Sequence, residues 1–117
     1  MWKFRLGKKT ESPDRQPRIE VEIPINFRNV SEFAWNLGKS NNLSRSGVLF
    51  RAVQPLMTGT QVEVEFVAPP GFGPDAGELV ACRGRVVRTL PPAPTDRRTG
   101  IATKFSQYQV LRRPGEW

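Results

Sequence analysis

A chain of 117 residues fits one domain with a single modest core and leaves no room for a second of ordinary size. Its 11 prolines and 10 glycines, set among residues that alternate apolar and polar, predict an all-β class with many turns. The formal charge is +7; with no histidine and one cysteine, Ser-His or Cys-His catalysis, His-ligated metals, an internal disulfide and a zinc cluster are excluded.

That charge is unevenly placed. Residues 1–18 carry six basic and two acidic side chains, residues 79–117 eight and two, and residues 19–78 four basic against seven acidic. Basic ends around an acidic middle suit an anionic partner, or are simply solvated tails. No apolar stretch approaches the roughly 20 residues of a membrane span. Met1-Trp2-Lys3-Phe4-Arg5 lacks an apolar signal core, so a cytoplasmic protein without membrane insertion is expected.

Residues 1–17 read as a flexible basic leader, because Pro13 and Pro17 deny it a long regular element. The domain proper is set at 14–111, with the leader over 1–13 and a tail over 112–117. From Ile19 to Arg28 the apolar residues Ile19, Val21, Ile23, Ile25 and Phe27 fall on one face of a predicted strand. Pro24 removes a ladder donor there and predicts an edge or a bend. Phe33, Trp35 and Leu37 alternate in a weaker strand, which runs into the turn-rich Gly38-Lys39-Ser40-Asn41. Trp35 and Trp117 read as core and tail residues rather than as a partner surface.

Extended structure resumes over Gly47–Val53, and Gly59 marks a tight turn. Val62, Val64 and Phe66 then alternate with Glu63 and Glu65, which read as solvated. A loop rich in Pro and Gly spans 68–77. Leu79 to Leu90 is a long strand containing Cys82, a small core residue, and three arginines. Arg83 and Arg85 share a face, Arg88 opposes them unless a bulge intervenes, and all three read as solvent-facing. Arg97 and Arg98 follow in a proline-rich loop and also read as solvated. Ile101, Thr103 and Phe105 make a final short strand, and Tyr108, Val110 and Leu111 predict a helical turn that plugs one barrel end. Six such strands favour a closed antiparallel β-barrel over an open sheet. Pattern alone leaves a sandwich open.

Two short segments carry candidate chemistry. Asp14-Arg15-Gln16-Pro17-Arg18 stands just before the clearest strand, and Asn42-Leu43-Ser44-Arg45-Ser46-Gly47 leads into the third. On its residues alone the second segment is a hairpin turn, in which Asn and Ser bond nearby backbone. Together the two resemble the signature of the PilZ domain family, RxxxR ahead of the first strand and [D/N]xSxxG downstream. Asn42, Ser44 and Gly47 fill the second motif. The resemblance continues through Val48-Leu49-Phe50, Val62-Glu63-Val64, Arg83-Gly84-Arg85-Val86-Val87 and Gly100-Ile101-Ala102-Thr103-Lys104-Phe105, spanning Arg15 to Phe105.

The resemblance implies a six-stranded antiparallel split barrel and a non-catalytic receptor for cyclic di-GMP, with no cofactor. It implies ligand contacts from Arg15, Arg18, Asn42, Ser44 and Gly47, with Arg45 as a secondary contact. Arginine suits that ligand, since it bonds phosphate and the O6/N7 edge of guanine bidentately and stacks on bases. Arginines on a mobile leader would close over the ligand and offer a changed surface to a downstream protein. Gly47 would let ligand approach backbone closely.

One departure stands out. With Arg18 as the second motif arginine, the first position falls on Asp14; the chain offers R-x-x-R, Arg15 and Arg18, instead. Losing one charged hydrogen bond costs on the order of 1.5–3 kcal/mol. Arg15 sits next to Asp14 and could substitute. The alternative is a degenerate PilZ domain that binds no nucleotide and serves as a protein adaptor. A basic barrel for single-stranded nucleic acid lacks the aromatic platform that such binding uses. An enzyme lacks a reaction scheme.

Overall fold

The computed structural model describes residues 18–111. Six strands, β1 Pro24–Asn29, β2 Asn36–Ser44, β3 Gly47–Ala52, β4 Gln61–Val67, β5 Leu79–Leu90 and β6 Thr99–Leu111, close into an antiparallel barrel in the order β1-β2-β3-β6-β5-β4. Closure leaves no strand edge unpaired around the ring, which removes the liability that an open sheet of this size would carry. A 3-10 turn over Gly73–Asp75 is the only helical element among the described residues.

Period-two alternation places the core. Ile25 and Phe27 from β1, Val48 and Phe50 from β3, Val62, Val64 and Phe66 from β4, and Val80, Cys82 and Val86 from β5 are buried, as are Ile101, Phe105 and Val110 from β6. At the centre the Phe27 and Phe50 rings meet with centroids 4.8 Å apart, tilted by 47°. Each fully buried aliphatic or aromatic side chain contributes about 1.5–3 kcal/mol relative to exposure. Cys82 occupies the core, as its apolar neighbours predict.

Two glycines let the neighbours of β6 approach it from both sides. A Cβ on Gly47 would fall 2.3 Å from the Thr103 carbonyl oxygen, and one on Gly84 would fall 2.2 Å from that of Lys104. Neither distance is tolerable, so both positions require glycine for strand pairing.

Several sequence expectations are corrected. The first strand begins at Pro24, not Ile19. Ile19, Val21 and Ile23 keep their predicted inward face and pack on the core, but their backbone joins β2 irregularly. β2 shifts register between Ser40 and Asn42, and the buried Ser40 hydroxyl stands in for a ladder rung. Its Oγ accepts from Ile23 N–H at 3.0 Å and donates to the Val21 carbonyl.

The strand expected to bury Phe33, Trp35 and Leu37 instead starts at Asn36 and buries Gly38, Ser40 and Leu43, so all three are exposed, Phe33 almost fully at 95%. Gly38–Asn41, read as a turn, therefore lies inside β2. The predicted C-terminal helical turn is strand as well, because β6 runs on through Tyr108 and Val110 to pair with β5. The ladder partner offered by the long β5 wins over local helix tendency.

Glu63 does not sit in solvent. It is 2% exposed and clamped between two arginines: Arg28 Nε donates to Oε1 at 2.8 Å and Arg83 Nε to Oε2 at 2.9 Å. Val62 and Val64 are buried because they face the core, whereas Glu63, on the opposite face of β4, is buried under the two guanidinium groups that hold it. Arg83, expected to face solvent, is thus an ion-pair partner. So is Arg98, which grips Asp96 through two hydrogen bonds of 2.9 and 2.8 Å.

Candidate functional site

The β2–β3 hairpin turns through Arg45 and Ser46, with Ser44 paired to Gly47. Ser44 is buried, and its Oγ accepts from Ser46 N–H at 3.1 Å while sharing a 2.9 Å hydrogen bond with Ser46 Oγ. Local side-chain bonding of this kind is what Ser-rich turns offer. A hydroxyl carries one donor and two acceptor sites, so these bonds leave Ser44 little spare capacity.

Beside this turn, across the outer face of β3, β6 and β5, lies a cleft of about 400 Å³. That is within the range of small-molecule sites, about 300–1,000 Å³. Arg18, Asn42, Ser44 and Gly47 all line it. The tertiary structure thus brings together residues from both sequence segments, with Arg18 reaching the site from the stretch just ahead of Ile19. The Ile19–Leu43 bridge, closed by hydrogen bonds of 2.8 and 2.9 Å, fixes that approach one residue from Arg18 and one from Asn42.

Two further cations, Arg88 and Lys104, line the same cleft, together with Ser46. No acidic residue is among its described lining. Arg88 reaches it because β5 shifts register between Val86 and Arg88; only that bulge overrides strict alternation. Lys104 follows from alternation in β6, where Thr103 and Phe105 are buried and Lys104 is exposed. The signal for Lys104 was available in the sequence; the bulge was not.

Arg45 does not line the cleft. Its Nη2 lies 3.2 Å from Asp75 Oδ2, on the far side of the turn. Gly47 lines it but owes its identity first to the Thr103 carbonyl described above. Asp14 and Arg15, like the leader over 1–13 and the tail over 112–117, lie outside the described residues.

A second depression, of about 680 Å³, lies beside β1 and β4 and is bordered by Ile23, Phe66, Pro69 and Pro70. Its one ionisable lining residue is Glu65, whose carboxyl is raised above its ordinary value by burial and by nearby Glu63, against Arg28. An apolar wall with one carboxylate repels a phosphate. Among the described residues no group of three His, Cys, Asp or Glu side chains could hold a metal ion, and no helix is long and apolar enough to cross a membrane.

A family model described as PilZ domain matches residues 14–112. Comparison with curated proteins gives no match. Among solved structures, that of the Bacillus subtilis inhibitor of motility, MotI/DgrA, is similar with a TM-score of 0.65 at 12% identity. The alignment covers 80% of this chain and 42% of that one, so this chain spans less than half of its length. At such identity the likeness shows the fold, a barrel of the same kind.

Proposed function

The chain belongs to the PilZ domain family, and from that premise we propose that it is a receptor for cyclic di-GMP, held in the cleft between Arg18 and the β2–β3 turn. PilZ domains bind no cofactor and are typically non-catalytic receptor domains. The observation that carries the proposal is convergence: Arg18, Asn42, Ser44 and Gly47, from two separate stretches of chain, line one cleft together with Arg88 and Lys104. Three cations and no carboxylate suit a ligand with two phosphates. Asn42 has a side-chain amide for a guanine edge, and Arg18 or Arg88 can pair with phosphate or stack on a base. The residues ahead of Arg18, Arg15 among them, would close over the bound nucleotide. The covered cleft would then present a new surface to a downstream protein in the bacterial cytoplasm.

Titration calorimetry on the wild-type chain and on Arg18→Ala tests this reading. Wild type is expected to bind cyclic di-GMP, and the variant to bind about 10- to 150-fold more weakly, the equivalent of one charged hydrogen bond of about 1.5–3 kcal/mol. Absence of heat from wild type at high micromolar nucleotide rejects the receptor.

Asp14, at the first motif-arginine position, favours one second reading: a domain that binds no nucleotide and works as a protein adaptor. Asp14→Arg separates the two. It strengthens existing binding in a receptor, and creates binding from an undetectable baseline in an adaptor.

A further inference from the structure

We infer that Arg45 is a positioning residue for this site: held by Asp75 and Tyr108, it fixes the β2–β3 turn in the conformation that sets Ser44 and Ser46 on the cleft. The inference rests on the reading of the cleft as the nucleotide site.

Arg45 lies in the turn between Ser44 and Ser46, both of which line the cleft while Arg45 does not. Its guanidinium leaves the other way. Nη2 is 3.2 Å from Asp75 Oδ2, and Cζ stands 5.5 Å from the Tyr108 ring centroid and 5.9 Å from that of Phe72. The receiving side is itself anchored. Asp75 is buried and accepts a 2.7 Å hydrogen bond from the Tyr108 hydroxyl. Tyr108 belongs to β6, paired with Cys82, and its ring stacks with that of Phe72 at 6.4 Å. Phe72 in turn meets Phe66 edge to face at 5.8 Å. Gly73 leaves room for the arrangement: its φ of +86° suits glycine, and a Cβ there would lie 3.4 Å from Arg45 Nη2.

A hairpin tip held only by its own ladder frays easily. Here an ion pair sheltered by two aromatic faces ties the tip to the core, and such a pair is stronger than an exposed one. Holding the turn before the ligand arrives removes an ordering cost from binding. A direct ligand role for Arg45 predicts the opposite sign, because freeing Arg45 from Asp75 would then tighten binding.

The test uses the full chain with cyclic di-GMP titrated by calorimetry and amide exchange followed by NMR without nucleotide. Asp75→Asn is expected to weaken binding about tenfold, and Arg45→Met by a similar factor. The double variant should be no weaker than either single one, as for two members of one unit. In nucleotide-free Asp75→Asn the Ser46 amide should exchange about tenfold faster. Val64→Ala, a core change on β4, which pairs with neither β2 nor β3, should lower the melting temperature without altering affinity. Unchanged or tighter binding by Asp75→Asn, unchanged Ser46 exchange, or equal loss of affinity in Val64→Ala overturns the inference while leaving the receptor reading intact. Wild type that binds no nucleotide overturns both.

Discussion

Glu63 carries a charge almost out of reach of water, and the chain tolerates it because two arginines share it. Burial alone pushes its carboxyl up, but the hydrogen bonds and charges of Arg28 and Arg83 together bring it below the ordinary carboxylate value. A depressed folded value means the clamp stabilises fully above the unfolded pKa, about 4.3, and is lost as pH falls through the folded one. Glu63→Gln is expected to cost about 2–3 kcal/mol at pH 7, less than a fully buried pair because both arginines touch solvent. Denaturant unfolding at pH 7 and pH 3.5 checks this: the wild type should lose more stability than the variant between these values. Equal losses would remove Glu63 from the acid response. Cys82 gives a simpler outcome. Burial pushes its thiol well up, so a thiol reagent should label it only when the protein unfolds; rapid labelling of native protein would contradict the core assignment. The two residues differ in legibility. Cys82 lay in an apolar run and read correctly, whereas Glu63 sat at a polar position of an alternating strand, and nothing local announces that two arginines from other strands converge on it.

Among the elements, the hairpin of β2 and β3 and the long β6 do most to build the site. Gly47 must stay glycine because the Thr103 carbonyl of β6 occupies the space a side chain would take. Gly47→Ala is expected to cost about 1–3 kcal/mol by forcing β3 away from β6, measured as a shift in urea midpoint at constant slope. A variant as stable as wild type would show that the strands slide freely. The motif holding Gly47 was readable, but its role was not, since the carbonyl it accommodates lies more than fifty residues away in sequence. Strand faces set by unbroken alternation, as in β4, were read correctly for their apolar residues. Those near a register shift, as at Ser40–Asn42, were not.

For the whole molecule, charge and closure meet at the cleft. Arg18, Arg88 and Lys104 come from three distant parts of the chain and face one depression. Attraction among exposed charges is screened by salt, so cyclic di-GMP affinity should fall about tenfold between about 0.05 and about 0.5 M salt. Calorimetry at both ends of that range checks it; salt-independent binding would place the nucleotide away from these cations. The uneven charge visible along the sequence is compatible with solvated ends as well as with an anionic partner, and it does not say which cations share one cleft.

Composition and period-two alternation were enough to determine an all-β domain and most of its inward residues, because strand burial is written locally, residue by residue; the family resemblance supplied the barrel and the pairing of the two motif segments. Tertiary structure alone decided that Phe33 and Leu37 face outward, that Glu63 is buried, that Arg88 joins the cleft and that Arg45 leaves it. Each of those outcomes depends on a register shift or on a partner far along the chain. A single extra residue in a strand reverses every side chain beyond it, and no local pattern records where that residue falls.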